Sequence, residues 1–477
     1  MRVVLIIPSS VGEFFSAQFP HTGMAYVSAV LKQNNIETKI IDMRLGYTEE
    51  ETFTIIDEFE PQIVGITLYS LGFTKSCETI NKIKLHDSSY KVVIGGPHLA
   101  ALKESSLRDT LADFGIYGEG EYTMLELCQG KLPQDILGLI WRDDDKIIVN
   151  PQRPFNNDLD SLPLPDYESF ELKRYLGYPE RHLPIVTSRG CPYQCVFCSI
   201  RLSMGYKFRA RSPENVVNEL VHWYSKGWRS FEFDDDNFTL DIDRAMKICD
   251  LIISHELKIT WKCDNGVRAD RLSRELLEKM KHAGCVYISF GVEGGNNKML
   301  QAMKKNEKIE TIIDSIKLAK EVGLNIGATF IIGTPEETYD DFLDSLEVAK
   351  RLPVDHVSFY NMVPYPGTDM YRWIEQNGKF LVDKETYLYN IAGWKNKPIF
   401  ETKNFTKEER EKAYKVAHSL YRRKALTMKL GKELGLLAWG LTGNEKVELF
   451  MKKLVLTPGP GRFIFNKIKR DPSKHRK

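Results

Sequence analysis

With 477 residues, 42% of them hydrophobic and 27% charged, the chain has the composition of a folded protein of two or three domains. Its net charge of +1 carries no overall signal for a nucleic-acid or membrane partner. No apolar run reaches bilayer-spanning length, the VVLIIP stretch after Met1-Arg2 is too short for a signal peptide, and eight cysteines point to metal ligation in a reducing, cytoplasmic setting rather than to disulfides.

The first 130 residues alternate strand and helix patterns, with strands predicted over 2–8, 37–42, 63–68, 91–95 and 114–117. Short apolar runs separated by helices read as a parallel sheet covered on both faces. Ligands of such sheets sit beyond the carboxyl ends of the strands. There the sequence places Ser9, Thr67, Ser70, Gly95, Gly96, Gly118, Glu119 and Gly120, and the glycines let a large planar ligand approach the backbone. Residues 131–182 read as a connector: a short hairpin around Asp143-Asp144-Asp145, then LDSLPLPDY, whose prolines favour an extended path.

After an apolar run at 183–186 comes TSRGCPYQCVFCSIR, with Cys191, Cys195 and Cys198 at spacings of four and three. Thiolates are the soft ligands of iron-sulfur clusters, and a cubane cluster takes four. The next cysteine, Cys249, lies in a helical pattern, so three thiols leave one iron open for a substrate or cofactor. A zinc knuckle completed by His182 and a disulfide pair are the bland alternatives. Further strands at 230–233, 260–263, 287–291, 327–332 and 356–361 make six strand-helix units with the cysteine loop after the first. Residues at their carboxyl ends are the candidates for chemistry: the run Asp234-Asp235-Asp236, then Arg268, then Glu293. Three adjacent carboxylates at a buried mouth call for a cation, whereas an exposed acidic turn needs none. Beyond 400 the pattern is helical. Residues 444–477 carry ten Lys and Arg against three acids, read as a solvated tail after a capping helix, with a membrane-surface foot as the alternative.

The C-x3-C-x2-C motif with Phe197 before its last cysteine resembles the radical S-adenosylmethionine (SAM) enzymes, and PHTGMAYVSAVLKQNNIETKIID, VGITLYS, VIGGPH and YGEGEYT resemble the cobalamin-binding domain that precedes that core in one subgroup, the class B methyltransferase-like enzymes. The resemblance implies an α/β chain: an N-terminal flavodoxin- or Rossmann-like cobalamin domain (1–130), the hairpin and linker (131–182), a partial (β/α)6 TIM-barrel core (183–400) and a helical carboxyl-terminal region (401–477). It implies a 4Fe-4S cluster on Cys191, Cys195 and Cys198, and SAM held by Asp236, Asp235, Arg268, Glu293 and Phe197. Cobalamin falls to Ser9, Thr67, Ser70, Gly95, Gly96, Gly118, Glu119 and Gly120. The D-x-H-x-x-G signature whose His ligates cobalt falls on Asp42-Met43-Arg44-Leu45-Gly46, with Arg44 in the place of His. His21 and His98 are the spare candidates. The implied activity is methylation of an unactivated carbon in a small-molecule or lipid-like substrate, with flavodoxin or ferredoxin as electron donor and no nucleic acid. The rivals are a cyclase or rearrangement enzyme without net methyl transfer, and a non-catalytic iron-sulfur scaffold.

Overall fold

The computed structural model describes residues 1–9, 17–70, 72–384, 386–388 and 397–441. The basic tail at 444–477 lies outside them. The first sheet is built on β1 (Arg2–Ile7), β2 (Glu37–Asp42), β3 (Ile63–Thr67), β4 (Lys91–Gly95) and β5 (Phe114–Ile116), all parallel. Between them run α1 (Thr22–Gln33), α2 (Glu49–Phe59), α3 (Phe73–His86), α4 (Pro97–Ala101) and α5 (Lys103–Arg108), followed by α6 (Glu121–Cys128). Val3 to Ile7 and Ile63 to Thr67 are wholly buried, as expected for strands covered on both faces.

The hairpin β6 (Leu139–Asp143) and β7 (Lys146–Val149) is no free connector. It extends the first sheet antiparallel to β5, giving the order β2-β1-β3-β4-β5-β6-β7. Its apolar residues Leu139 and Ile140 are buried against that sheet, a pairing that local pattern alone does not reveal. The proline-rich segment after it does lie across both halves. The Tyr167 hydroxyl donates to the Pro184 carbonyl (3.0 Å) and is hydrogen-bonded with the Thr22 hydroxyl of α1 (3.1 Å), and the Tyr175 hydroxyl donates to Asp42 (2.6 Å). One face of the first sheet shares a continuous apolar core with this segment and the second domain, while the other face has a core of its own.

The second domain opens with β8 (His182–Ile185), the short pair β9 (Ser188–Arg189) and β10 (Arg209–Ala210) flanking α7 (Ile200–Met204), and α8 (Pro213–Ser225). Ser212 caps α8 through Asn215 N–H (3.1 Å) with Pro213 in its first turn, as the sequence predicts. Then follow β11 (Ser230–Phe233), α9 (Ile242–Ser254), β12 (Thr260–Val267), α10 (Arg274–His282), β13 (Cys285–Glu293), α11 (Asn297–Ala302), α12 (Ile309–Val322), β14 (Asn325–Ile332), α13 (Tyr339–Arg351) and β15 (His356–Asn361). The six long strands are parallel and adjacent in chain order, β8-β11-β12-β13-β14-β15, the expected partial (β/α)6 arrangement. Right-handed crossovers in that order put every helix on one face and leave the other as an inner face. After α14 (Asp369–Asn377) and the pair β16 (Gly378–Phe380) and β17 (Phe400–Thr402), the described chain ends in α15 (Lys407–Leu430) and α16 (Lys432–Leu441).

Candidate active site

The cysteine loop leaves β9 through Gly190, whose φ of +80° and a would-be Cβ only 2.5 Å from the Lys207 carbonyl admit glycine alone. Cys191, Cys195 and Cys198 follow, partly buried and with free thiols. Val196 N–H bonds the Met303 carbonyl (3.0 Å), and Tyr193 lies 3.6 Å beneath the Arg268 guanidinium and accepts from Arg271 (3.1 Å). Burial raises all three thiols, Cys198 to about 12, while Arg268 and Lys305 pull Cys191 and Cys195 back toward the thiolate. Three thiols on one pinned loop beside two cations fit an anionic thiolate-ligated cluster. Among the described residues no three His, Cys, Asp or Glu side chains gather around a point that could hold a single metal ion. Cys249, Cys263 and Cys285 are fully buried between strands and helices, and Cys128 is buried in the first domain.

Strand alternation separates the three aspartates after β11. Asp235 is turned away from the inner face: it accepts from Thr187 N–H (2.6 Å), the Thr187 hydroxyl and the Ser188 hydroxyl (2.7 Å). With both oxygens taken, it anchors the start of the cysteine loop, a correction to its expected place on SAM. Among the described residues Asp236 accepts only Gly190 N–H (2.8 Å), and burial raises its pKa to about 6. Asp234 joins Asp236 in lining the cavity between the domains. It accepts from Asn265 (3.2 Å), and burial together with Glu232 and Asp235 lifts it to about 7.

Arg268 is more committed than its sequence position suggests. It pairs with Asp270 (3.0 Å) and donates to the carbonyls of Lys305 (2.8 Å) and Asn306 (3.2 Å). That use of four of its five N–H groups makes it a support for the cysteine loop rather than an open anion site. The available cation is Lys305, absent from the sequence reading. Burial works to lower its pKa, but Glu293, Glu307 and Cys195 outweigh that, and Glu307 lies 3.2 Å away. Lys305 follows a helix end in an ordinary Met-Lys-Lys-Asn run, so no local motif marks it. Glu293 is held at φ +65°, and burial raises its pKa against the pull of Lys305. Phe197 packs partly buried against the core. Tyr365 packs on a small apolar cluster with Tyr387 and Ile399.

A cavity of about 380 Å³ lies between the carboxyl ends of β1, β3, β4 and β5 and the second domain. Thr67, Gly95, Gly96, Gly118, Glu119 and Gly120 line it, and a Cβ on Gly95 or Gly118 would meet nothing closer than 3.7 Å, so glycine leaves that space open. Ser9 is exposed and Ser70 is turned to the His98 Nδ1 (3.0 Å), so neither lines the cavity. His21 does line it, but its Nδ1 caps α1 by accepting Met24 N–H (3.1 Å) and its Nε2 faces the Tyr69 hydroxyl (2.9 Å). Burial pushes its pKa down to about 4, so it is a neutral ring with both nitrogens used. His98 is buried away from the cavity, stacked on Phe73. Arg44 pairs with Asp42 (2.6 Å) and donates to the Phe19 carbonyl (3.2 Å).

Glu119 has a second role that the sequence did not disclose. It accepts from Arg189 (3.0 Å), Arg209 (2.6 Å) and Asn156 N–H (2.7 Å), and Glu121 takes the other arm of Arg189 (2.8 Å). Burial pushes Glu119 up, yet the two arginines outweigh it and hold the carboxyl below its usual range. Arg209 thus screens a first-domain carboxylate, and Arg211 pairs with Glu219 beneath the sheet. The first-domain ligand loop and the cysteine loop are tied by one buried set of ion pairs.

A family model described as the radical SAM superfamily matches residues 185–349, and one described as the B12 binding domain matches residues 13–128. Over 443 residues the chain is 31% identical to "Uncharacterized methyltransferase PH0819" of Pyrococcus horikoshii, spanning 90% of this chain and 94% of that one. It is 27% identical over 390 residues to an anaerobic magnesium-protoporphyrin IX monomethyl ester cyclase of Rubrivivax gelatinosus, spanning 78% and 70%. Among solved structures, the radical SAM methyltransferase TsrM of Kitasatospora setae, with tryptophan substrate and a SAM analog bound, superposes with a TM-score of 0.68 at 18% identity, covering 80% of this chain and 79% of that one.

Proposed function

The chain belongs to the radical SAM superfamily and carries a B12-binding domain, and from that premise we propose that it is a cobalamin-dependent methyltransferase acting on an unactivated carbon of a small molecule. Its cofactors are a 4Fe-4S cluster, SAM and cobalamin. When bound, they supply the electron that splits SAM, the 5′-deoxyadenosyl radical and the transferable methyl group. The residues divide the work of holding them. Cys191, Cys195 and Cys198 would ligate the cluster, with Lys305 and the Arg268–Tyr193 stack balancing and bracing that loop. Asp236, with one oxygen uncommitted, would take the SAM amino group, Lys305 its carboxylate and Glu293 a ribose hydroxyl. Thr67, Gly95, Gly96, Gly118 and Gly120 would hold cobalamin, while His21, which lines the same cavity, has both ring nitrogens engaged within the protein.

The observation that carries this reading is the shared cavity: one wall is the glycine-rich end of the first sheet, and the other holds Ser188, Arg189, Asp234 and Asp236 around the cysteine loop. Asp234 and Asp236 reach the same space as the first-domain glycines, and the Glu119–Arg189–Glu121 pairs tie the two walls together. The test is product analysis on anaerobically reconstituted protein under strong reductant. Methylated product with S-adenosylhomocysteine supports methyl transfer, 5′-deoxyadenosine with an unmethylated product supports the cyclase reading, and no SAM cleavage overturns both. A flavodoxin- or ferredoxin-type donor would deliver the electron. Peripheral contact with an anionic membrane surface is also proposed. It is supported by 17 Lys and Arg against four acids over residues 412–477 and by exposed Leu434 and Leu437 on α16. No described helix is long and apolar enough to cross a membrane.

A further inference from the structure

The two faces of the six-stranded sheet have opposite chemistry. Toward the helices point Phe231, Phe233, Trp261, Phe290, Phe330 and Phe359, all buried, with Phe359 edge-on to Phe342 of α13. The inner face carries hydrogen-bonding groups along most of its strands. Glu232 of β11 meets His182 of β8 (3.2 Å) and Lys262 of β12 (2.8 Å), and Lys262 also meets Asp264 (3.0 Å). A Cβ on Gly327 of β14 would run into the Tyr287 hydroxyl and Ser289 Oγ of β13, which puts those strands in the same lining, and on β15 Ser358 Oγ bonds His356 (3.0 Å).

A parallel barrel ordinarily fills its interior with branched apolar side chains. This one does not, and ionisable groups buried dry and unpaired would cost several kcal/mol each. The lumen is open instead: Tyr360 is 54% exposed, and the side chains of Asp264 and Lys262 are 43% and 31% exposed. It meets the cofactor cavity at Asp234, which faces both. Among these described residues its carboxylates, Glu232, Asp234 and Asp264, outnumber Lys262, which spans two of them.

We propose that this lumen is the substrate chamber and that it takes a polar small molecule presenting ammonium or hydroxyl donors to Asp234 and Asp264, with Tyr287 and Tyr360 as further partners, and not a hydrocarbon lipid. The proposal rests on the methyltransferase reading and narrows its substrate class. Of the small-molecule and lipid-like substrates expected from the sequence, it selects the first. An apolar chain would strip water from these groups and return no hydrogen bonds, so it would bind against its own desolvation cost.

The experiment uses the reconstituted holoenzyme, SAM labelled in its methyl group, and a two-phase extract of the source organism's cells as probe. Formation of 5′-deoxyadenosine or S-adenosylhomocysteine reports whether SAM is consumed at all, and so tests the underlying reading by itself. Given SAM consumption, a labelled product in the aqueous phase, separated by chromatography from unreacted SAM and from methylcobalamin, is the expected result. Retention of the labelled product on a cation exchanger identifies an ammonium donor, and flow-through a hydroxyl donor. Asp264→Asn and Tyr360→Phe, at parental iron content and melting temperature, should lower incorporation at least tenfold at limiting extract, with the loss shrinking as extract is raised. Labelled product in the organic phase, no labelled product in either phase while SAM is still consumed, or unchanged extract dependence in both variants would overturn the proposal.

Discussion

At the residue scale, three neighbouring aspartates have three different duties because a strand end sends successive side chains to opposite sides. Asp236→Asn should weaken SAM binding about tenfold to a hundredfold, the loss of a charge-assisted bond worth roughly 1.5–3 kcal/mol, and leave iron content intact. Asp235→Asn should instead lower iron retention, since it removes the acceptor for Thr187 and Ser188 at the root of the cysteine loop. Equal SAM affinity in Asp236→Asn and the parent, by anaerobic titration, would return that carboxylate to a structural role. The pair also fixes a pH response. Asp234 and Asp236, raised to about 7 and about 6 from 3.8, bind protons in the folded state that the unfolded chain has released. The protein without SAM should therefore lose stability as pH rises from about 4 to about 7 and level off above that. Thermal melts across this range should show the fall in the parent and a flatter profile in the Asp234→Asn/Asp236→Asn double variant. Beneath the cobalt, the committed nitrogens of His21 predict a Co(II) resonance without nitrogen superhyperfine splitting; splitting that vanishes in His21→Ala or His98→Ala would contradict this.

At the scale of elements, the cysteine loop is positioned from both sides. Gly190→Ala would push a methyl group into the Lys207 carbonyl at a φ that alanine avoids, and should abolish cluster reconstitution as fully as Cys191→Ala. Cys249→Ala, Cys263→Ala and Cys285→Ala remove only a buried sulfur each and should keep the iron. Counting iron after reconstitution separates the two groups. On the loop's other side, Arg189→Met would leave Glu121 buried without its partner while Glu119 keeps Arg209. Breaking a buried pair in this way costs about 3–5 kcal/mol, and denaturant midpoints should show a loss of that order.

For the whole molecule, charge is segregated in a way that the net value of +1 conceals. Residues 1–411 hold 49 Lys and Arg against 61 acids, whereas residues 412–477 hold 17 against four. Full-length protein should sediment with vesicles containing phosphatidylserine at low salt, release them as salt rises, and ignore neutral vesicles, and a chain ending at Leu441 should bind more weakly. Equal sedimentation of both chains would dissociate membrane contact from the tail.

What the sequence by itself determined was local. The order of strands, the glycine turn, the three-cysteine loop and the glycines facing the first-domain cavity are all set by short-range pattern, because period, turn chemistry and ligand spacing are read within a few residues. Only tertiary structure decided the rest. Lys305 acts on Cys195 from more than a hundred residues away, Arg189 meets Glu119 and Glu121 and Arg209 meets Glu119 from far along the chain, and β6 and β7 join a sheet whose edge no local signal announces. The same holds for the assignments that changed. Asp235 and Arg268 have the residue type and place expected of cofactor ligands, but partners largely from other elements take both oxygens of the first and four of the five N–H groups of the second, and that commitment is a property of the folded chain alone.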